Sequence, residues 1–176
     1  MVSRTDSTTL FDLAYSVARD SFDADSSKRS ADKVCAVALN VAVDEAISLF
    51  SGKPGFDKLV ERKGGTPKDA KMEITAKITE FLRDEGFKDN EINQCGRDPH
   101  GRGAMNCAEP KVYYYLRHVK NVDPSHWVVV PFNKTDNGLV YNPPCMNCRI
   151  WVYKHFHILS RTIAQGRAGD AALTGC

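Results

Sequence analysis

Asn106-Cys107-Ala108-Glu109-Pro110 and, further along, Pro143-Pro144-Cys145-Met146-Asn147-Cys148-Arg149 decide how this sequence is read. Each stretch opens a helix. Proline is tolerated in a first helical turn, where its missing N–H has no partner to lose. Pro110 therefore starts one helix near Asn106 or Cys107, and Pro143-Pro144 starts another. Cys145 and Cys148, three apart, point from one face of a first turn as a chelate. Cys107 adds a third sulfur if the two helices lie side by side. The unpaired N–H groups and positive dipole end of a helix favour thiolate over thiol. Three thiolates form a Zn²⁺ donor set with one tetrahedral position open, which separates a catalytic site from a closed structural one. C-x-E alone is a weak signal in a chain with six cysteines, and P-C-x-x-C alone a moderate one. Their pairing and order carry the reading.

Glu109 follows the first ligand by two residues. It is placed to take a proton from a water at the open position and to return it to a reacting nitrogen. The plain alternative is a first-turn acid that complements the helix dipole. Three thiolates on a divalent ion leave a charge of about −1, which blunts a Lewis acid. Arg149, beside Cys148, is the candidate for charge compensation; a surface helix arginine is the other reading. A rival metal reading closes the site with Cys95 or His100 as fourth ligand, making it purely structural.

At 176 residues the chain is expected to form one domain, 1–176, with a core that needs no staples. Apolar residues at 42% and charged residues at 26% fit a soluble globular protein. No run of about 18 apolar residues suits a membrane span, and Met1-Val2-Ser3-Arg4-Thr5-Asp6 lacks the apolar region of a signal peptide. Beyond the three metal cysteines stand Cys35, Cys95 and Cys176, an odd remainder without a disulfide framework. A reducing, cytoplasmic setting is expected; a toxin delivered into another cell without a classical signal would look the same. A net charge of +2 leaves any nucleic-acid binding to a local patch.

Working outward, Leu10, Phe11, Ala14, Val17, Ala18 and Phe22 behind Ser7-Thr8-Thr9 predict an amphipathic helix over residues 8–20, and Asp23 to Asp32 a connector. Val34 to Ala42 and Ile47 to Gly52 read as two strands of a hairpin; one helix over Leu39 to Phe50 is the alternative. Gly52-Lys53-Pro54-Gly55 breaks the pattern, with a short helical turn over Phe56 to Arg62. Thr66 caps and Pro67 opens a helix toward Gly86 whose inner face holds Met72, Ile74, Ile78, Phe81 and Leu82. Asp89 to Met105 reads as a loop carrying Arg97, His100 and Arg102. The first site helix runs to about Lys120, and Trp127 to Val130 is a strand. Asn133 to Asn142 is a polar loop, and the second site helix runs to between Lys154 and His157. Ile158 to Ile163 is a strand or more helix, and 166–176 a loose tail. Trp127 and Trp151 read as core, as do one or two of Tyr113, Tyr114 and Tyr115.

Helix, hairpin, C-A-E helix, strand and P-C-x-x-C helix, over residues 8 to 157, resemble the cytidine deaminase-like superfamily, whose zinc deaminases carry this motif pair. Cys107-Ala108-Glu109-Pro110-Lys111 and the helix-and-loop insertion at 53–103 look most like its YwqJ-like, toxin-type members. The resemblance implies an α/β fold, a three-layer α/β/α sandwich with a mixed central sheet, holding Zn²⁺ between the motif helices. It also implies that the Ala108 backbone helps hold a pyrimidine and that Ser51 or Gly52 lies at the pocket mouth. The chain departs from simple nucleoside deaminases in the long insertion and in Pro110, where they usually carry arginine. Past His157 there is room for one further strand rather than two.

The resemblance makes the expected reaction hydrolysis of cytosine to uracil. Arg97, His100 and Arg102 precede Cys107 and so reach the opening, with Lys111 one turn in. Phosphate contacts from them suit single-stranded DNA or RNA; solvated loop charges are the plain reading. A free nucleoside, nucleotide or other amino-bearing base is the rival substrate. A non-catalytic zinc module that binds a partner is the rival class. A toxin role would bring an immunity protein as partner.

Overall fold

Val34-Cys35-Ala36-Val37-Ala38-Leu39-Asn40 offers water almost nothing on either side, so a strand made of it must be covered on both faces. That is where it sits. The computed structural model describes residues 4–25, 33–40, 42, 45–94 and 102–157. Within them four strands form one sheet: β1 (Val34–Asn40), β2 (Ala46–Phe50), β3 (Trp127–Thr135) and β4 (Gly138–Tyr141), in the order β2-β1-β3-β4. Every neighbouring pair is antiparallel. Cys35 pairs with Phe50 on one side and with Phe132 on the other, so the hairpin reading holds over the single-helix alternative.

Because side chains alternate across a strand, β1 feeds two cores. Cys35, Val37 and Leu39 join Val128, Val130 and Phe132 beneath the helix α1 (Arg4–Ala24). Phe11, Ala14, Ala18 and Phe22 bury the stripe of α1 there, and the helix extends beyond the 8–20 expected from that stripe. Burial pushes the Cys35 thiol up to about 12, against a hydrogen bond from Ser21 and the charge of Arg62. Ala36 and Ala38 face the other way, toward α2 (Gly52–Lys63), α3 (Pro67–Asp84) and α5 (Ala108–Tyr114). The small Ala side chains admit those helices closely. Helices thus cover both faces of the sheet.

Several expectations change. Gly52-Lys53-Pro54-Gly55 is the first turn of α2 rather than a break, since Pro54 lies where no intrahelical N–H bond is lost. On α3 the buried residues are Ala70, Ile74, Ile78 and Leu82, and Met72 is 64% exposed. Period 3.6 puts Ala70 on the inner face and rotates Met72 out of it. Thr66 caps α3 as expected, accepting from the Asp69 N–H. Between Asp89 and Met105, read as loop, stand α4 (Asp89–Asn93) and a 3₁₀ turn over Ala104–Asn106. The polar run from Asn133 to Asn142 is a hairpin, in which Asp136 and Asn137 turn the chain before Gly138 at φ 110°. The expected second site helix is two short ones, α6 (Met146–Arg149) and α7 (Val152–His155), parted at Ile150-Trp151.

α5 continues into a π-helical turn over Tyr115–Val119. Tyr114 is buried with its hydroxyl on Glu73 (3.3 Å), Tyr113 stacks on Phe81 at 4.0 Å, and Arg62 lies 5.4 Å over Tyr115. Trp127 and Trp151 are core. His157 donates its N–H to the Trp127 carbonyl (2.9 Å) and forms a parallel bridge with Val128. Among the described residues the mixed pairing expected of the sheet amounts to this one bridge. The readings made of Cys95, Arg97, His100, Ile158 to Ile163 and 166–176 lie outside the described residues.

Candidate metal centre

Two helix starts meet beside the end of the hairpin. Cys107 (φ −63°, ψ 156°) is the N-cap of α5, and Cys145 (φ −65°, ψ 173°) the N-cap of α6. The same extended backbone at both lets each side chain lean over its own first turn. Cys148 and Arg149 close the α6 turn through their N–H groups on the Cys145 carbonyl, at 2.9 and 2.8 Å, which brings Cys148 over Cys145. Cys107 Sγ stands 3.5 Å from Cys145 Sγ, and all three sulfurs lie within 4.8 Å of one another. Sulfurs on tetrahedral zinc at a Zn–S length of ~2.3 Å are roughly 3.8 Å apart. The donor set fits the ion that the motif implies. Among the described residues no fourth His, Cys, Asp or Glu joins the group.

Hydrogen bonds from Cys107 and Cys148, with help from the N–H groups of Cys148 and Asn147, pull the Cys145 thiol well below its usual range. Cys107 is pushed up by that same bond to Cys145, and Cys148 is pushed up by burial. The cluster thus takes its first negative charge readily and resists the next two. A divalent cation between the sulfurs would displace those remaining protons.

Glu109, 3% exposed, sits in the first turn of α5. Burial raises its carboxyl to about 7, the charge of Cys145 adds to that, and the Lys111 charge is among the influences opposing it. A carboxyl in that range gives and takes protons near neutrality.

Lys111, expected one turn in from the entrance as a phosphate contact, is 1% exposed. Its Nζ donates to the carbonyls of Cys107 (2.7 Å), Asn106 (3.1 Å) and Met105 (3.2 Å). Burial lowers it to about 8, opposed by negative charge at Cys107, Glu109 and Cys148. The available signal was its spacing: a helical side chain leans toward the N-terminus, so the residue four beyond Cys107 reaches back over that turn.

A narrow cleft of about 30 Å³ opens on two of the sulfurs, lined by Ser51, Arg102, Asn106, Ala108, Glu109 and Asn142 together with Val34, Cys107 and Cys145. Of the residues named from the sequence for substrate contact, Ser51, Ala108 and Arg102 line this cleft. Ser51 is held there by mutual bonds with Val34: its Oγ accepts from Val34 N–H (3.0 Å) and its N–H donates to Val34 O (2.8 Å). Arg149 is exposed, and its Nε donates to the Pro144 carbonyl at 2.8 Å. Arg97 and His100 lie outside the described residues. Asn106, Asn142 and Asn147 were not singled out from the sequence. Asn147, fully buried on α6, donates to the Arg102 carbonyl (3.2 Å) and ties the segment before Cys107 to the second helix. A cavity of about 300 Å³ adjoins the cleft across Asn106, with Gly52 and Lys53 in its wall.

No helix among the described residues is long and apolar enough to cross a membrane. Compared with known family models, curated proteins and solved structures, the chain finds no match in any of the three.

Proposed function

We propose that this chain is a zinc-dependent hydrolytic deaminase of the cytidine deaminase-like superfamily, converting cytosine to uracil in single-stranded DNA or RNA. One observation carries the reading: three sulfurs are gathered from two helix starts, and two of them, on Cys107 and Cys145, line a cleft whose wall includes a buried glutamate. The helix-covered sheet, with its N-terminal helix and hairpin ahead of the two motifs, supports the family. The exposed Arg102 on the cleft wall, and Lys53 in the adjoining cavity, supply cations where a phosphate backbone would run.

Cys107, Cys145 and Cys148 would hold the zinc, which when bound supplies a water of lowered pKa and a polarising charge. Glu109 does the proton work. Its carboxylate accepts a proton from the attacking water and delivers it to the ring nitrogen. It then carries the hydroxyl proton to the amino nitrogen, which leaves as ammonia. Water and cytosine thus become uracil and ammonia, with Glu109 returned to its starting state. The Ala108 backbone and Ser51 line the cleft around the ring. The closed walls keep bulk water from the carboxyl, which is what raises it toward neutrality.

Glu109→Gln is the test, with zinc content and ammonia release measured on single-stranded oligonucleotide, duplex and free cytidine. Zinc content should stay at the wild-type level while turnover of the single strand falls about 10²–10⁴-fold. Wild-type turnover in the variant would end the deaminase reading. Faster turnover of free cytidine than of any oligonucleotide would move the substrate to nucleosides. Zinc without ammonia release from any substrate would leave a binding module.

A further inference from the structure

We propose that Lys111 is the built-in counter-cation of the sulfur site, a positioning residue that fixes the backbone presenting Cys107 and offsets the charge of the three thiolates. The inference rests on the metal-site part of the reading above and is independent of deamination.

A lysine with 1% of its surface exposed needs a reason, because an ammonium taken out of water without compensation is costly. Part of the compensation is local. The ammonium has three N–H donors and no acceptor, and three carbonyls meet it, from Met105, Asn106 and Cys107. These belong to the 3₁₀ turn over Ala104–Asn106 and to the N-cap of α5, so one side chain gathers the whole approach to the first sulfur. An apolar side chain at 111 would leave the three carbonyls without this donor.

Carbonyls are dipoles, however, and do not neutralise a charge. The groups whose negative charge, once ionised, acts on Lys111 are Cys107, Glu109 and Cys148. With a divalent ion among three thiolates the metal group, leaving the Glu109 carboxylate aside, carries about −1, and one buried ammonium offsets that charge. Arg149, the candidate from sequence, is exposed and bonded to the Pro144 carbonyl, and so is screened by water. Lys111, 1% exposed in the wall of the adjoining cavity, is far less screened by water. The arrangement explains why the motif tolerates three thiolates: the chain carries its own cation on the first ligand's helix, one turn along.

The test uses Lys111→Gln, which keeps two N–H donors for the carbonyls and removes the charge. Zinc affinity is read by competition with a chromogenic chelator at fixed pH, and the cobalt-loaded protein is read by its thiolate-to-metal charge-transfer band. An affinity loss of about tenfold or more and a shifted band are expected. In a Cys107→His background, which lowers the site's negative charge by one, the same change should cost less than about threefold. An unchanged affinity and band, or an equal loss in the histidine background, would overturn the proposal. If Lys111→Gln does not fold, Lys111→Arg decides, since it retains the charge. Affinity within about threefold of wild type is expected, and a loss as large as that of Cys107→Ser overturns it. Zinc binding without ammonia release sinks only the deaminase reading, while a wild-type chain that takes up no zinc sinks both.

Discussion

At the α2 start, a Cβ on Gly55 would stand 1.6 Å from the Phe50 carbonyl oxygen. The first turn of α2 therefore sits directly on the last residue of β2, and only glycine permits it. Since Ser51 lies between them, this approach also sets one wall of the cleft. Gly55→Ala should destabilise the fold by about 2–4 kcal/mol and open that wall, as read by thermal or urea unfolding. A neutral variant would show that the turn has slack. The same scale explains which site residues were legible. Cys107, Glu109, Cys145 and Cys148 announce themselves by spacing along one chain. The spacing of Lys111 signals its reach back over the first turn but not its burial, because a lysine's surface preference is overridden by three carbonyls that converge only after the 3₁₀ turn forms. Asn142 and Asn147 are hidden for the same reason: their neighbours come from distant segments.

The elements were legible where one period dominates. The α1 stripe, the α3 cap and the β1–β2 hairpin follow from local pattern. Those that went astray are polar or short. The β3–β4 hairpin is built from a polar stretch whose Asn137-Gly138 pair carried a turn signal that its composition masked. α6 and α7 are each four residues long, too short for a period to show. What holds α7 is an ion cluster with the end of α3. Glu85, with its side chain 11% exposed, accepts from Lys154 Nζ at 2.7 Å and meets His155 Nε2 at 2.6 Å. Desolvation alone would raise its carboxyl, but those two partners together outweigh that and hold it below its ordinary value. A depressed carboxyl stabilises the fold above its unfolded value of about 4.3, and that contribution is lost as pH falls through the folded value. Glu85→Gln should therefore cost about 1 kcal/mol at pH 7. Its unfolding free energy should converge with that of the wild type as pH falls from about 4.3 through the depressed folded value. A gap that persists in acid would mean the clamp is not ionic.

Over the whole molecule, helices on both faces of the sheet leave the cleft at one end, where α5 and α6 start and β2 finishes. That placement follows from topology: β3 and β4 lie between the two motifs in the chain, and their hairpin brings the second motif back to the first. Proximity of this kind has a redox side. Cys107 and Cys145 are 38 residues apart in the chain, and their sulfurs stand 3.5 Å apart. Without a cation to occupy them, two thiols so placed can surrender two electrons and two protons to peroxide and join, closing the excursion into a ring. Such a ring would stabilise the chain by about 4 kcal/mol through lost unfolded-state freedom. After chelator and peroxide, we expect faster migration on a non-reducing gel, a higher melting temperature and no zinc uptake until reductant is added. Zinc-loaded protein should resist the same oxidant, so the ion guards the very atoms that hold it.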